Sequence, residues 1–341
     1  MMARTQAINP RLKLRREPME SNRPLPRVAA DGPLDATVLG LLVNRVEWLP
    51  WEATQGDMGP VDGLYTYGHP TVDSSMLDRL PRLRVVSNYG VGVDHIDVGA
   101  ALARGIPVGN TPGILDGATA DMALALLLAT ARRVVEGDRY ARSAAFTRYD
   151  PGYMLGREVH GSTLGIVGLG RIGEKIARRA LGFDMTVLYH NRRPRREVEA
   201  SLGLRYAGFE ELLSASDYVV LCVPLTDETR GLIDSRALTL MKPSAVLINV
   251  ARGPVVRTDD LLDALQSRTI AAAGLDVTDP EPLPRHHQLL SLENVVITPH
   301  LGSATDRTRR KMAEISVANL LAGLDGKPLP SPVDGSVSDS R

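Results

Sequence analysis

Apolar residues along the chain fall into short runs, and longer, more polar stretches separate these runs. Short runs of β-branched and aliphatic residues are typical of buried strands, whereas the longer stretches between them favour helices. Strands are predicted at 28–30, 46–49, 63–67, 83–87, 107–109, 163–167, 185–190, 218–222, 245–250, 271–276 and 294–297. Helices are predicted at 34–42, 74–80, 95–104, 118–131, 174–181 and 306–324. This alternation predicts an α/β protein whose parallel sheets have helices on both faces.

Three glycines in the middle of the chain, Gly168, Gly170 and Gly173, follow the strand 163–167 at the spacing G-x-G-x-x-G. The first glycine allows a tight turn, the second lets the backbone approach a pyrophosphate, and the third lets helix and strand pack closely. The helix after them offers unpaired N–H groups to an anion. Because a second strand follows at the right distance, the motif predicts a dinucleotide site.

The end of that second strand indicates which dinucleotide is bound. Asn191, Arg192 and Arg193 stand where an NAD-specific site usually places an Asp or Glu that binds the ribose 2′-hydroxyl. Guanidinium groups form charge-assisted bonds to phosphate, which suits the 2′-phosphate of NADP. The alternative is a solvated basic turn, because Arg195 and Arg196 extend the charge run. We expect NADP(H) to be preferred, with NAD(H) as the alternative cofactor.

Composition narrows the class of protein. A chain of 341 residues with 43% hydrophobic and 23% charged residues is expected to form two soluble domains. Its 40 basic and 40 acidic residues balance, which gives no indication of a nucleic-acid or membrane partner. The single cysteine, Cys222, excludes an internal disulfide and is compatible with a cytoplasmic location. No apolar run reaches transmembrane length, and no His/Cys/Asp spacing matches a metal-ligand set.

Three polar residues, Arg252, Glu281 and His300, follow the last three predicted strands. Ligands in doubly wound folds bind beyond the carboxyl ends of the strands. There Arg252 can bind a carboxylate through two parallel bonds, and His300 can donate a proton to a carbonyl as a hydride arrives. Glu281 can fix the histidine tautomer. Taken singly, Arg252 could form a structural ion pair and Glu281 could lie in a solvated turn. Taken together, Arg252, Glu281 and His300 predict a catalytic set.

These motifs resemble those of the D-isomer-specific 2-hydroxyacid dehydrogenases, and the resemblance extends from about residue 28 to residue 324. It rests on the segments 168–173, 224–229, 249–253, 279–282 and 298–300. Within the family, the chain is most similar to NADPH-dependent glyoxylate/hydroxypyruvate reductases and their aryl-pyruvate-reducing relatives. The resemblance implies that Arg252, Glu281 and His300 are catalytic. It also implies that the backbone N–H groups of Val91 and Gly92 bind the substrate carboxylate, beside Arg252 and His300.

The resemblance further implies a set of cofactor contacts and a domain organisation. The cofactor contacts are Thr119, Gly168, Gly170, Arg171, Ile172, Gly173, Asn191, Arg192, Arg193, Val223, Pro224, Thr229, Val250, Asp276, His300 and Gly302. We expect a Rossmann-type NAD(P)-binding domain, 118–304, inserted into a flavodoxin-like α/β substrate domain formed by 25–117 and 305–330. Residues 1–24 are predicted to be a disordered tail and 331–341 a loose C-terminal tail.

The expected reaction is the reduction of a small 2-keto acid, glyoxylate or hydroxypyruvate, to the D-2-hydroxy acid. Reduction of aryl-pyruvates and phosphoglycerate dehydrogenase activity are the alternatives within the family. A corepressor-type scaffold that senses NAD(P) is the alternative from another class, and the intact Arg/Glu/His set argues against it.

A homodimer is expected through the helix 118–131 and the arm 138–156, with Phe146 or Tyr149 reaching the partner's pocket. His69 and His160 have no supporting pattern, and His95 is predicted to lie at a helix start or in a loop.

Overall fold

A computed structural model of the chain describes residues 24–334 and contains two separate parallel sheets. Apart from Pro24, the predicted N-terminal tail lies outside the described residues, and so do residues 335–341. Within the described part of the chain, no helix is long and apolar enough to cross a membrane.

The first sheet has five strands, in the order β2-β1-β3-β4-β5, and this is the flavodoxin-like order. Its strands are β1 (Arg27–Ala30), β2 (Glu47–Pro50), β3 (Gly63–Thr66), β4 (Val85–Asn88) and β5 (Val108–Gly109). The connecting helices are α1 (Ala36–Leu42), α2 (Ser74–Arg79) and α3 (Val98–Ala103), with a short 3₁₀ helix at Trp51–Gln55. The carboxylates of Asp35, Asp73 and Asp97 cap the three helices. This is why α1 and α3 begin later than the apolar pattern alone predicts.

The second sheet has seven strands, in the order β12-β11-β10-β9-β6-β7-β8. They are β6 (Thr163–Val167), β7 (Thr186–His190), β8 (Arg205–Tyr206), β9 (Tyr218–Leu221), β10 (Val246–Asn249), β11 (Ala272–Leu275) and β12 (Val295–Ile297). Its helices are α4 (Asp116–Ala131), α5 (Val134–Ala141), α6 (Arg171–Leu181), α7 (Arg196–Leu202), α8 (Phe209–Ala215), α9 (Ser235–Leu240) and α10 (Thr258–Gln266). The strand order reverses between β6 and β9, which is where such folds bind dinucleotides. The sequence predicts six of these strands and misses β8, a two-residue strand at the edge of the sheet.

The last helix, α11 (Asp306–Leu324), returns to the first sheet and packs on β3 and β4. A Cβ added to Gly323 would lie 2.4 Å from Cβ of Val85, so glycine allows helix and strand to approach closely. The long helix α4 instead packs against α6, β10 and β11. The segment that forms the second sheet therefore leaves the first sheet after β5 and returns to it through α11.

The segment 331–334 is ordered against the first sheet, so the prediction of a loose tail is wrong for these residues. Pro332 forms an antiparallel bridge with Gly109, and the N–H of Val333 donates to the carbonyl of Val108 at 2.7 Å. Val333 is buried in the core of this sheet. The apolar side chain at Val333 and the free strand edge at β5 explain why the chain packs here.

Candidate active site

The carboxyl ends of the two sheets meet at one cleft, where histidines from both sheets come together. His69 follows β3 in the first sheet and His300 follows β12 in the second. Their rings are stacked, with centroids 5.5 Å apart and planes 18° from parallel. A ligand in this cleft therefore contacts side chains from both sheets.

The side chain of His300 is held by that of Glu281, the residue expected to fix its tautomer. Nδ1 of His300 lies 2.7 Å from Oε1 of Glu281. Burial on its own would raise the pKa of Glu281, but the hydrogen bond and charge of His300 outweigh it and hold that pKa below its usual value. An ionised Glu281 needs a proton on Nδ1, which leaves Nε2 as the ring nitrogen free to act on a ligand.

The backbone around His300 is fixed by a buried carboxylate, Asp276, at the end of β11. Its oxygens accept hydrogen bonds from the backbone N–H groups of Leu301 and Gly302, both at 2.7 Å, and from the Thr298 hydroxyl at 2.6 Å. The N–H of His300 donates to the carbonyl of Asp276 at 2.8 Å. These bonds hold His300 in a left-handed conformation, with φ of 54°. Asp276 thus positions the histidine loop, a role that its predicted place in the cofactor site did not include.

Arg252 crosses the cleft from the second sheet to the first. Its Nε donates to Oδ1 of Asp94 at 3.0 Å, and the two side chains are only 21% and 20% exposed. The guanidinium also lies directly over Gly92, where an added Cβ would be 1.7 Å from Nη2 of Arg252. Asn249 holds the backbone of this segment by donating to the carbonyl of Arg252 at 2.9 Å. The arginine is therefore fixed beside the predicted substrate loop.

In that loop the carbonyl groups are turned into the protein by two asparagines. Nδ2 of Asn88 donates to the carbonyls of Gly90 and Gly92, at 3.1 and 2.8 Å, and Nδ2 of Asn110 donates to the carbonyl of Val91 at 2.8 Å. Within residues 24–334, the N–H groups of Val91 and Gly92 donate no hydrogen bond. Two free N–H groups beside a guanidinium make a site for a carboxylate.

The glycine turn after β6 has the geometry that a dinucleotide requires. A Cβ on Gly168, whose φ is 101°, would lie 2.8 Å from the backbone of Cys222, and one on Gly173 would lie 2.3 Å from the carbonyl oxygen of Gly168. Gly170 faces open space, and no side chain caps the helix that starts at Arg171. The N–H groups at the uncapped start of α6 are therefore accessible to a pyrophosphate.

The loop after β7 is clamped onto this turn. Oδ1 of Asn191 accepts from the N–H of Leu169 at 2.6 Å, and Nη1 of Arg195 donates to the Leu169 carbonyl at 2.9 Å. From the sequence, Arg195 was assigned only to a run of basic residues, and this contact with the glycine turn was not predicted. Arg192 and Arg193 belong to the same loop, beside the glycine turn.

Several other predicted cofactor residues lie around the same edge of the second sheet. Arg171 begins α6, and its Nε donates to the buried carboxylate of Asp116 at 2.9 Å, while most of its side chain is exposed. Oγ1 of Thr229 donates to the carbonyl of Pro224 at 2.6 Å and closes the loop after β9. Of the remaining residues of the set, those that follow strands are Val223, Val250 and Gly302, and those in the first turns of α4 and α6 are Thr119 and Ile172.

The sequence missed two residues of the cleft, His69 and Asp94. Asp94 lies in the segment 88–95 that contains the predicted substrate loop, and His69 ends the segment 65–69, which continues beyond β3. The sequence predicts no contact for either side chain, because each gains its role where the two sheets meet. Within the described residues, no group of three or more His, Cys, Asp or Glu side chains could hold a metal ion.

The chain is similar in sequence to a family of known enzymes. Residues 124–302 match the model of the D-isomer specific 2-hydroxyacid dehydrogenase NAD-binding domain. The glyoxylate reductase of Pyrococcus furiosus is 48% identical over 297 residues, which cover 86% of this chain and 88% of that protein.

The chain is also similar to solved structures. An NADPH-dependent glyoxylate/hydroxypyruvate reductase from Sinorhizobium meliloti, in complex with NADP and malonate, superposes with a TM-score of 0.82. It is 35% identical, and the match covers 90% of this chain and 96% of that one. A protein from Thermus thermophilus also gives a TM-score of 0.82, at 46% identity, and the match covers 90% of this chain and all of that one.

Proposed function

The chain belongs to the D-isomer specific 2-hydroxyacid dehydrogenase family, and we propose that it is an NADPH-dependent reductase of small 2-keto acids. Glyoxylate and hydroxypyruvate are the proposed substrates, and the D-2-hydroxy acid is the product. The observation that supports this most is the hydrogen-bonded pair of Glu281 and His300, which faces Arg252 and the 91–92 loop across the cleft. The names of the relatives agree with it.

The substrate carboxylate is bound by the free N–H groups of Val91 and Gly92 and by the guanidinium of Arg252. Asp94 keeps that guanidinium in place, so the 2-keto oxygen is directed towards Nε2 of His300. A bound nicotinamide would supply the hydride to carbon 2. The Nε2–H of His300 gives its proton to the oxygen as negative charge develops there. Glu281 stabilises the protonated imidazole before the transfer, and afterwards its carboxylate still accepts the hydrogen bond from the proton that remains on Nδ1.

The proposed cofactor is NADPH, with NADH as the weaker alternative. The pyrophosphate would be held by the N–H groups at the start of α6, where Arg171 and Ile172 follow Gly170. Asn191 accepts a hydrogen bond from the N–H of Leu169 and so holds the loop after β7 against the glycine turn. In that loop, Arg192 and Arg193 would bind the 2′-phosphate. The Sinorhizobium meliloti relative, which was solved with NADP, supports this choice.

We also propose a homodimer, because a group of apolar side chains in the arm after α5 is exposed in the single chain. Phe146, Tyr149, Tyr153 and Leu155 are 49%, 82%, 51% and 74% exposed. Tyr140 packs on Phe146 and Tyr153, with ring centroids 5.4 and 4.7 Å away, so the arm has a defined shape. Large exposed apolar side chains that are grouped in one segment favour an interface. The proposed location is the cytoplasm, which the single cysteine favours.

The direct test is to follow NADPH oxidation through the cofactor absorbance with a panel of 2-keto acids. We expect glyoxylate and hydroxypyruvate to be reduced, and chiral analysis to identify the hydroxypyruvate product as the D-hydroxy acid. Faster reduction of phenylpyruvate would favour an aryl-pyruvate reductase instead. If no 2-keto acid oxidises either NADPH or NADH although both bind, the chain is a dinucleotide-sensing scaffold and the proposal is wrong.

A further inference from the structure

A cavity of about 280 Å³ lies between the start of α4 and the start of α11. It is lined by Ile114, Gly117, Ala118 and Asp121, from α4 and the segment before it, and by Thr305, Arg307, Thr308 and Lys311, from α11 and the residue before it. None of these residues belongs to the substrate or cofactor site described above. Because α4 packs on the second sheet and α11 packs on the first, a ligand in this cavity would contact both parts of the chain.

The α11 wall of this cavity carries two positive charges. Arg307 and Lys311 lie four residues apart on one face of the helix, and like charges at this spacing repel each other. Among residues 24–334, neither side chain forms an ion pair or a hydrogen bond. An anion between them would remove the repulsion, and the positive end of the helix dipole would favour it further.

A buried hydroxyl lines the same cavity. Thr308 is only 9% exposed, and its N–H donates to Oγ1 of Thr305 at 3.3 Å. Its own hydroxyl forms no hydrogen bond within the described part of the chain. Because buried polar groups in proteins are nearly always hydrogen-bonded, this hydroxyl is a donor that a ligand in the cavity would satisfy.

The carboxylate of Asp121 also lines the cavity, but its charge is already balanced by Arg179. Nε of Arg179 donates to Oδ1 of Asp121 at 2.6 Å, and Nη2 of the same guanidinium donates to the carbonyl of Gly117 at 3.2 Å. The other side chains of the α4 wall, those of Ile114 and Ala118, are apolar. The cavity thus combines a cationic wall with a largely apolar one.

These two walls indicate the class of ligand. Two cations and a hydroxyl donor suit a phosphate group, which offers negative charge and several acceptor oxygens. The volume of the cavity is close to the roughly 300 Å³ at which small-molecule sites begin, so it has room for more than an inorganic ion. The apolar wall suits the carbon atoms of such a molecule.

We propose that the cavity between α4 and α11 binds a small organic phosphate. Its phosphate group lies against Arg307, Thr308 and Lys311, and its carbon atoms lie against Ile114 and Ala118. The ligand bridges the helix that follows the first sheet and the helix that returns to it. This site is separate from the catalytic cleft, so its occupancy does not depend on the proposed function.

The test is isothermal titration calorimetry of glycerol 3-phosphate into the NADPH-saturated protein, in which the phosphates of NADPH occupy the dinucleotide site. We expect Arg307→Ala/Lys311→Ala to raise the Kd at least about tenfold, because two charge-assisted bonds are lost. Thr308→Val keeps the shape of the side chain, removes the hydroxyl and should raise the Kd about fivefold. Arg310→Ala, at an exposed arginine of the same helix outside the cavity, is the matched control. The Kd for NADPH should be that of the wild type in every variant, which verifies folding.

Three results would overturn the proposal. The first is a wild type that does not bind glycerol 3-phosphate. The second is a double variant that binds it as tightly as the wild type does, which would place the ligand in the catalytic cleft or elsewhere. The third is equally tight binding of inorganic phosphate, which would show that the cavity does not recognise an organic group. A wild type that reduces no 2-keto acid overturns only the proposed function, because the titration involves no turnover.

Discussion

Oε1 of Glu281 lies 2.7 Å from Nδ1 of His300, although the two residues leave different strands of the second sheet. Asp276 makes this contact possible because it fixes the backbone of the histidine loop from the end of the neighbouring strand. The pair combines an ionised carboxylate with a ring whose other nitrogen is free. This is the arrangement that a proton donor at neutral pH requires.

Replacing Glu281 with Gln removes the charge and keeps the shape. We expect kcat for glyoxylate to fall about 100-fold, because the protonated imidazole loses its stabilising partner. The Kd for NADPH, measured by fluorescence titration, should change little. Asp279→Asn removes an exposed carboxylate from the same loop and is the matched control. An unchanged kcat in Glu281→Gln would contradict the assignment.

The double substitution Arg192→Ala/Arg193→Ala tests the cofactor proposal. Because a charge-assisted bond to phosphate contributes about 1.5–3 kcal/mol, we expect the Kd for NADPH to rise at least about tenfold. The Kd for NADH, which has no 2′-phosphate, should stay nearly constant. Arg196→Ala serves as the control, since Arg196 belongs to the same basic run but pairs with Glu199 at 2.8 Å. An unchanged ratio of the two Kd values would remove the preference for NADP.

Much of the fold follows from local sequence. β6 has the predicted bounds because its short run of apolar and β-branched residues, bounded by glycines, is typical of a strand buried on both faces of a parallel sheet. β8 was missed because its two residues, Arg205 and Tyr206, lie at the edge of the sheet and contain no apolar run. Short helices such as α7 and α9 were missed for a related reason. Each buries only a few side chains, so tertiary packing rather than a long apolar pattern maintains them.

Local sequence likewise predicts some residues of the site and not others. Arg252, Glu281 and His300 could be proposed from sequence because each follows a predicted strand, and parallel strands end at one edge. His69 and Asp94 could not, because their roles depend on how the first sheet meets the second. No local pattern encodes the 5.5 Å stack of His69 on His300 or the 3.0 Å bond from Arg252 to Asp94.

Stability should depend on pH through the two histidines of the first sheet. Burial is the main reason that the pKa of His69 and that of His95 are each lowered from 6.5 to about 4. Between these values the unfolded chain binds more protons than the folded one, so the free energy of unfolding falls as the pH drops from 6.5 towards 4. Each histidine contributes up to about 1.4 kcal/mol per pH unit.

The measurement is urea unfolding at pH 7 and pH 5 of the wild type and of His69→Asn/His95→Asn. Carboxylates titrate alike in both proteins, so the difference between them isolates the histidines. We expect the wild type to lose more of its unfolding free energy on acidification than the double variant does. Equal losses would show that the two imidazoles are not kept neutral by the fold.

The homodimer proposal predicts that charge in the arm separates the subunits. Tyr149→Glu/Leu155→Glu places two carboxylates in the surface that a second copy would cover, where desolvating them is costly. Light scattering should give twice the chain mass for the wild type and a single chain mass for the variant. Leu39→Glu, at an exposed leucine in α1, should leave the mass unchanged. A monomeric wild type would contradict the proposal.

The central claim is that His300 delivers the proton to the substrate, and His300→Ala tests it most directly. The measurement is the single-turnover rate of NADPH oxidation by saturating glyoxylate, with NADPH binding verified in the same samples. We predict that the rate falls at least about 100-fold while the Kd for NADPH stays within about twofold of wild type. A variant that binds NADPH and oxidises it at a rate close to that of the wild type would contradict the account.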